Sequence, residues 1–149
     1  MKYIAPYRLG KDELDLGIDL YSVETRIIKR GSTVIVDTGT SFEFPIFGKL
    51  RRFISKLLFG IEITGIGGIL RPRGVHKHDI LAGVVDAGYR GTVKVKIFNP
   101  SANEDIFVCR GDSVAQMIPI FVINMPLTPS GRINEDTKRG YSGGINVRG

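Results

Sequence analysis

The sequence predicts an all-β barrel or sandwich that carries one short helix. Three observations predict it. Short strand-like runs recur along the chain with Gly and Pro residues between them. One segment alone, residues 49–59, has the period of a helix. No internal repeat is present that would make the strands part of a stacked array.

Taken in order, the strand-like runs cover residues 3–5, 18–22, 26–29, 33–37, 41–44, 62–71, 83–85, 92–99, 106–108 and 113–122. Each is short, rich in β-branched or aromatic residues, and bounded by turn formers. The segment from Gly83 to Gly91 reads as a β-hairpin. Val84 and Val85 are strand formers, Ala87-Gly88 is turn material, and Thr92 to Ile97 alternates like a return strand. Between residues 49 and 59, Leu50, Phe53, Ile54, Leu57 and Leu58 fall at helical spacing. Lys49, Arg51, Arg52 and Lys56 take the other side, and Gly60 can end the helix. The reading adopted is a helix whose apolar face packs on the protein while its basic face stays in water. A basic surface for membrane or nucleic acid is the alternative. From Asn124 onward, Pro126, Pro129, Gly131, Gly140, Gly143, Gly144 and Gly149 leave little room for packed structure. The expected organisation is therefore a β-domain over 1–123 and a C-terminal arm over 124–149.

Composition bounds the function loosely. At 149 residues and 42% hydrophobic content the chain suits one domain with a real core. A single cysteine, Cys109, excludes an internal disulfide framework and suits a reducing, cytoplasmic location. No apolar leader follows the first residues and no stretch is long enough to span a membrane. The net charge of +6 favours anionic partners, whether nucleotide phosphates, nucleic acid or acidic lipid, and does not choose among them.

Several residues are suited to phosphate chemistry. Asp86 is the last residue before a turn, with apolar neighbours on its N-terminal side. Partial desolvation there would suit a base; the plainer reading is a turn Asp that satisfies backbone N–H groups. Tyr89, across the turn, offers a ring face. Arg73 follows a strand-like run and can give bidentate hydrogen bonds to phosphate, or is simply a surface Arg. Gln116 lies between Ala115 and Met117 on an apolar strand, where its amide needs partners. Arg139 precedes a Gly-rich run whose N–H groups could wrap phosphate, or belongs to a flexible basic tail. His76 and His78 have no Cys or Glu at ligand spacing, so no zinc site is expected.

In this order the segments resemble the motifs of the dUTP pyrophosphatase (dUTPase) family. Leu16-Gly17-Ile18-Asp19-Leu20-Tyr21-Ser22 resembles the first motif and Arg71-Pro72-Arg73-Gly74 part of the second. Gly83 to Gly91 resembles the third, Gly111 to Ile118 the fourth, and Arg139 to Gly144 the Gly-rich fifth. The resemblance spans 15–149 and implies a distorted, jelly-roll-like β-barrel, to which the 49–59 helix is an insertion. It implies Mg-dependent hydrolysis of dUTP to dUMP and pyrophosphate, by a homotrimer whose sites are shared among subunits and which requires no nucleic acid. By resemblance, Asp86 activates the water that attacks the α-phosphate, and Tyr89 packs on the deoxyribose. Backbone groups of Val84, Val85 and the facing Lys94 read uracil. Arg73, Gly74 and Gln116 contact phosphates. Asp19 organises the water shell of a Mg2+ held mainly by the triphosphate, with no direct protein ligand. Arg139, Gly143 and Gly144 close over the γ end.

The chain departs from the family pattern at two places. Gly74 stands where the family has a phosphate-contacting Ser, in a loop shortened before Lys77. Ile145 stands where a Phe covers uracil. Two other readings follow the resemblance. A related dCTP deaminase carries a Glu three positions before an Asn; here Lys96 precedes Asn99, and Lys cannot replace that carboxylate. A non-catalytic binding or regulatory protein is the third.

Overall fold

Antiparallel pairing organises every ladder of the fold. In the computed structural model, which describes residues 1–73 and 79–131 (79–82 at backbone level), eleven strands and one helix follow one another. They are β1 (Lys2–Ile4), β2 (Ile18–Tyr21), β3 (Arg26–Ile28), β4 (Thr33–Asp37) and β5 (Ser41–Glu43), then α1 (Lys49–Phe59). After the helix come β6 (Glu62–Pro72), β7 (Asp79–Ala82), β8 (Val84–Val85), β9 (Lys94–Phe98), β10 (Ile106–Val108) and β11 (Ser113–Asn124). The strands form ladders in the orders β2-β11-β6-β8, β4-β9-β7, β1-β5 and β10-β3. Among the described residues these do not close into one continuous ring. The all-β expectation with a single helix holds, and the helix occupies the residues its period marks.

The core follows from strand alternation. Leu20, Ile28, Val36, Val95, Ile97, Val108, Val114, Ala115 and Met117 are fully enclosed, with Phe42 and Phe44 in ring contact at 5.3 Å. The long strand β11 is the spine. Its first half lies between β2 and the C-terminal end of β6, and its second half pairs with β6 alone. Pro119 sits in that second half, where one side of the strand has no ladder to donate to. Asn99 is wholly buried and structural: its amide donates to the carbonyls of Ile28 (3.0 Å) and Glu104 (2.8 Å) and accepts from the N–H of Ser101 (3.0 Å).

Three expectations need correction. First, the sequence marks no strand over 79–82, yet β7 lies there, and it is β7 rather than β8 that pairs with β9. The hairpin opens after Ala82↔Lys96; Val84 and Val85 then turn to pair with Ile69 and Gly68 of β6. A two-residue strand has too few side chains to fix its partner by pattern, so the sequence favours the nearest alternating run. Lys94 consequently faces Asp37 of β4, not Val84 or Val85. Second, β11 continues through Asn124, one residue past the expected end of the domain, and 125–131 have no helix or strand.

Third, within the single chain α1 turns its apolar face away from the strand it is tied to. Its buried residue is Ser55, whose Oγ donates to the carbonyl of Arg52 (2.8 Å) and accepts from the N–H of Ile63 (2.9 Å). Arg52 pairs with Glu62 on the same side. Leu50, Phe53, Leu57 and Leu58 are 64–73% exposed. The short connections dictate this. Phe47 N–H is bonded to the carbonyl of Thr64, Ile46 bridges Gly65, and Gly60 in the left-handed region (φ 71°) leads straight into β6. Both ends are thus tied to one strand, and the side carrying Arg52 and Ser55 is the one that reaches it. Among the described residues no helix is long and apolar enough to cross a membrane.

Glu62 makes the anchor pH-dependent. The Asn124 amide foremost, then the Arg52 guanidinium, hold its carboxyl below the ordinary value. A folded pKa below the unfolded one stabilises above the unfolded pKa, and the contribution is lost as pH falls through the folded value. Acidification across that window should loosen α1, read as faster limited proteolysis within 49–59. Glu62→Gln should loosen it at neutral pH and flatten the response to acid; an unchanged acid response would assign the effect to another group.

Candidate functional site

Asp19, Gln116 and Arg73 meet on one outer face of the β2-β11-β6 ladder. In β2, Ile18 and Leu20 point into the core, so Asp19 between them points out. The register places Gln116 beside Asp19 on one side and Arg71 on the other. Arg73 lies two positions beyond Arg71 and shares its face. Gln116 Nε2 donates to Asp19 Oδ1 at 3.3 Å, and Arg73 Nε approaches the same oxygen at 3.2 Å. Contact through Nε leaves the terminal nitrogens of a half-exposed guanidinium, unpaired among the described residues, to donate to an outside oxyanion. Asp19 Oδ2 is also outside these two contacts.

Gly17 makes this arrangement possible. A Cβ there would stand 2.5 Å from Gln116 Cγ and 2.6 Å from Cδ, so any other residue displaces the amide. Arg71 is a site residue that the motifs do not single out. Its two-residue spacing from Arg73 is the signal that places it on the same face. The cluster is thus cationic overall, with one carboxylate that orients the Arg and Gln.

The second group is built on β8 and the turn that follows. Val85 is buried and pins the segment; Val84 is 77% exposed. Tyr89 N–H donates to the Asp86 carbonyl at 3.0 Å and closes the turn. Arg90 Nη1 caps it through the carbonyls of Ala87 (2.7 Å) and Tyr89 (3.0 Å). Asp86 itself is exposed. The expectation that its own chain desolvates it is therefore corrected: the apolar side chain before it, Val85, points to the core and does not cover the carboxylate. Tyr89 is held firmly. Its hydroxyl donates to the Thr92 carbonyl at 3.0 Å, and its ring lies over Gly91, where a Cβ would come within 2.5 Å of Oη.

Beyond the turn, Val93 N–H donates to Thr40 at 2.7 Å, and its carbonyl accepts from the Thr38 hydroxyl at 2.8 Å. Lys94 leaves this anchor with its side chain exposed. The edge of β8 and the start of β9 therefore diverge after Ala82↔Lys96, and neither has the other as its ladder partner.

The two groups do not meet within one chain. Val85 is opposite Gly68, and Asp86 continues away from Arg73. Five strand positions separate Gly68 from Arg73, roughly 17 Å along the strand. Gly74, Arg139, Gly143 and Gly144 lie outside the described residues, as do His76, Lys77, His78 and Ile145. Among the described residues no three His, Cys, Asp or Glu side chains cluster to hold a metal ion.

Comparison with known proteins gives a consistent picture. The family model described as dUTPase matches residues 55–145. A deoxyuridine 5'-triphosphate nucleotidohydrolase of Mycobacterium leprae is 34% identical over 104 residues, covering 70% of this chain and 60% of the relative. The chain thus spans about 60% of the length of that relative. The corresponding protein of Nautilia profundicola is 31% identical over 133 residues, covering 85% of this chain and 80% of the relative. Among solved structures, the dUTPase of Staphylococcus bacteriophage 80alpha with dUPNHPP superposes with a TM-score of 0.68 at 17% identity, covering 97% of this chain and 98% of that one. At that identity the likeness is one of fold.

Proposed function

The chain belongs to the dUTPase family, and on that premise we propose that it hydrolyses dUTP to dUMP and pyrophosphate. The observation that carries this reading is the convergence of Asp19, Gln116 and Arg73. A triphosphate needs donors for its oxygens and a fixed geometry for the reacting phosphorus. Arg73 and Gln116 supply donors, and Asp19 holds both in place. Arg71 adds charge on the same face.

Asp86 accepts the proton of the attacking water and orients it toward the α-phosphate. Tyr89, fixed by Thr92 and Gly91, covers the sugar. The diverging backbone edges at Val84, Val85 and Lys94 offer the hydrogen-bonding groups for uracil. The separation of Asp86 from Arg73 supports a homotrimer in which one subunit's turn faces another's phosphate cluster. Burial of Asp86 is then supplied by the neighbour and the substrate rather than by its own chain. Gly74, Arg139, Gly143 and Gly144 complete the phosphate contacts, with residues 124–149 as the closing arm.

The donor set also fits Mg2+. A hard ion carried by the triphosphate needs few protein ligands, and the second oxygen of Asp19, outside the contacts of Gln116 and Arg73, suits a hydrogen bond to one of its waters. Bound there, the ion neutralises phosphate charge.

Incubation with dUTP or dCTP in the presence of magnesium tests the reading by product identity. Release of dUMP and pyrophosphate from dUTP, with dCTP untouched, is expected. Deamination of dCTP would replace it with the deaminase reading, and binding without turnover would leave a non-catalytic protein. Tyr89→Ala should reduce the preference for dUTP over UTP, because the ring that crowds the 2′ position is gone. The two kcat/KM values measure this, and an unchanged ratio removes Tyr89 from sugar selection.

A further inference from the structure

We propose that α1 is an in-plane anchor for a bilayer with anionic phospholipid headgroups. The helix is fastened to β6 by one side, through Ser55 and Arg52. On the side away from β6, Leu50, Phe53, Ile54, Leu57 and Leu58 form a stripe of exposed apolar side chains. At about 100° per residue, Lys49 and Lys56 border that stripe on one flank and Arg51 borders it on the other. The helix carries four cations and no acidic residue. Cations on long stems at both edges of an apolar stripe can reach headgroup phosphates while the stripe enters the acyl boundary.

A concave surface of about 330 Å³ strengthens the assignment. It is lined by Lys49, Arg52, Phe53, Lys56 and Glu62. Arg52 is already paired with Glu62, whereas Lys49 and Lys56 make no ion pair among the described residues. Two ammonium groups beside a Phe, Lys56 also within electrostatic reach of Glu62, suit a phosphate with its attached glyceride. A second copy of the chain is the other candidate occupant. In a two-fold pair this face would bring Lys49, Arg51 and Lys56 against their own counterparts, with no acidic residue on the helix to offset them; around a ring it would meet a different surface of the neighbour, and the oligomeric readout below separates that outcome. An anionic bilayer instead neutralises the same charges, in keeping with a net charge of +6.

Co-sedimentation of the full chain with phosphatidylcholine vesicles, with and without phosphatidylglycerol, tests this. Binding is expected only to the phosphatidylglycerol vesicles, and should weaken with salt. Lys56→Ala and Arg51→Ala should each lower partitioning about fivefold. Phe53→Ser and Leu57→Ser should abolish it, while the oligomeric state and the rate of dUTP hydrolysis stay as in the parent. These side chains are exposed, so the variants keep the fold; circular dichroism verifies it. No binding to phosphatidylglycerol vesicles, or binding that the four variants leave unchanged, overturns the proposal. If Leu57→Ser instead dissociates an oligomer and the vesicles are ignored, the stripe is an interface between copies.

Discussion

Asp86→Asn should eliminate all but a residual release of pyrophosphate and leave the fold in place. The amide has the shape of the carboxylate and cannot take a proton from water. Loss of a general base costs on the order of 10²–10⁴ in rate. Among the described residues no hydrogen bond or ion pair uses the side chain: Asp86 is exposed, and the turn is closed by its carbonyl rather than its carboxylate. The melting temperature should therefore match the parent while kcat falls, with little change in KM if dUTP binds through the phosphate cluster and the backbone edges. Turnover near that of the parent would take Asp86 out of the mechanism. A parallel loss of stability would show the residue to be structural, contrary to its exposure.

What the sequence reveals is periodicity, and what it hides is partnership. Residues 49–59 announce their helix because five apolar positions share one face and Gly60 follows. The same pattern does not say what that face touches. Direction came from short connections, Phe47 to Thr64 and Gly60 into β6, and from a buried serine hydroxyl that no hydrophobic pattern registers. Strands β4 and β10 are legible to the residue, since β-branched runs flanked by turn formers leave little choice. Val84 and Val85 are legible as a strand but not as a partner of β6, because two residues carry no register. β7 is hidden for a similar reason: four residues beside a His-Lys-His run show no alternation.

The candidate site divides along the same line. Gln116 is legible as a polar residue set in an apolar strand and Asp19 through the resemblance of its segment to the family's first motif, and the ladder puts them side by side. Their link to Arg73 follows once β6 pairs with the other edge of β11. The distance from this cluster to Asp86 was hidden, because it depends on where β8 docks. That distance gives the proposed shared site a support from this chain's own register, beside the family expectation.

Mixing two inactive variants should restore activity. Arg73→Ala removes a phosphate donor and Asp86→Asn removes the base, so each homo-oligomer should be nearly inert. If a site takes Asp86 from one subunit and Arg73 from another, co-expressed chains will assemble some sites with both residues intact. With random assembly each pairing has even odds twice over, so about a quarter of sites should be complete in a closed symmetric ring. Against parents reduced by on the order of 10²–10⁴ for the Asp86 variant, that is a large recovery. The alternative predicts none. If Asp86 and Arg73 of one chain served the same site, every site in the mixture would carry one defect or the other. Bringing them together would require movement across roughly 17 Å of strand, through a ladder that fixes Val85 opposite Gly68 and Gln116 opposite Arg71. Separately purified homo-oligomers mixed without exchange are the control and should stay inactive. Recovery in that control would mean contamination or rapid exchange, while no recovery on co-expression, with mixed oligomers demonstrated by tagged pull-down, would place both residues in separate functions.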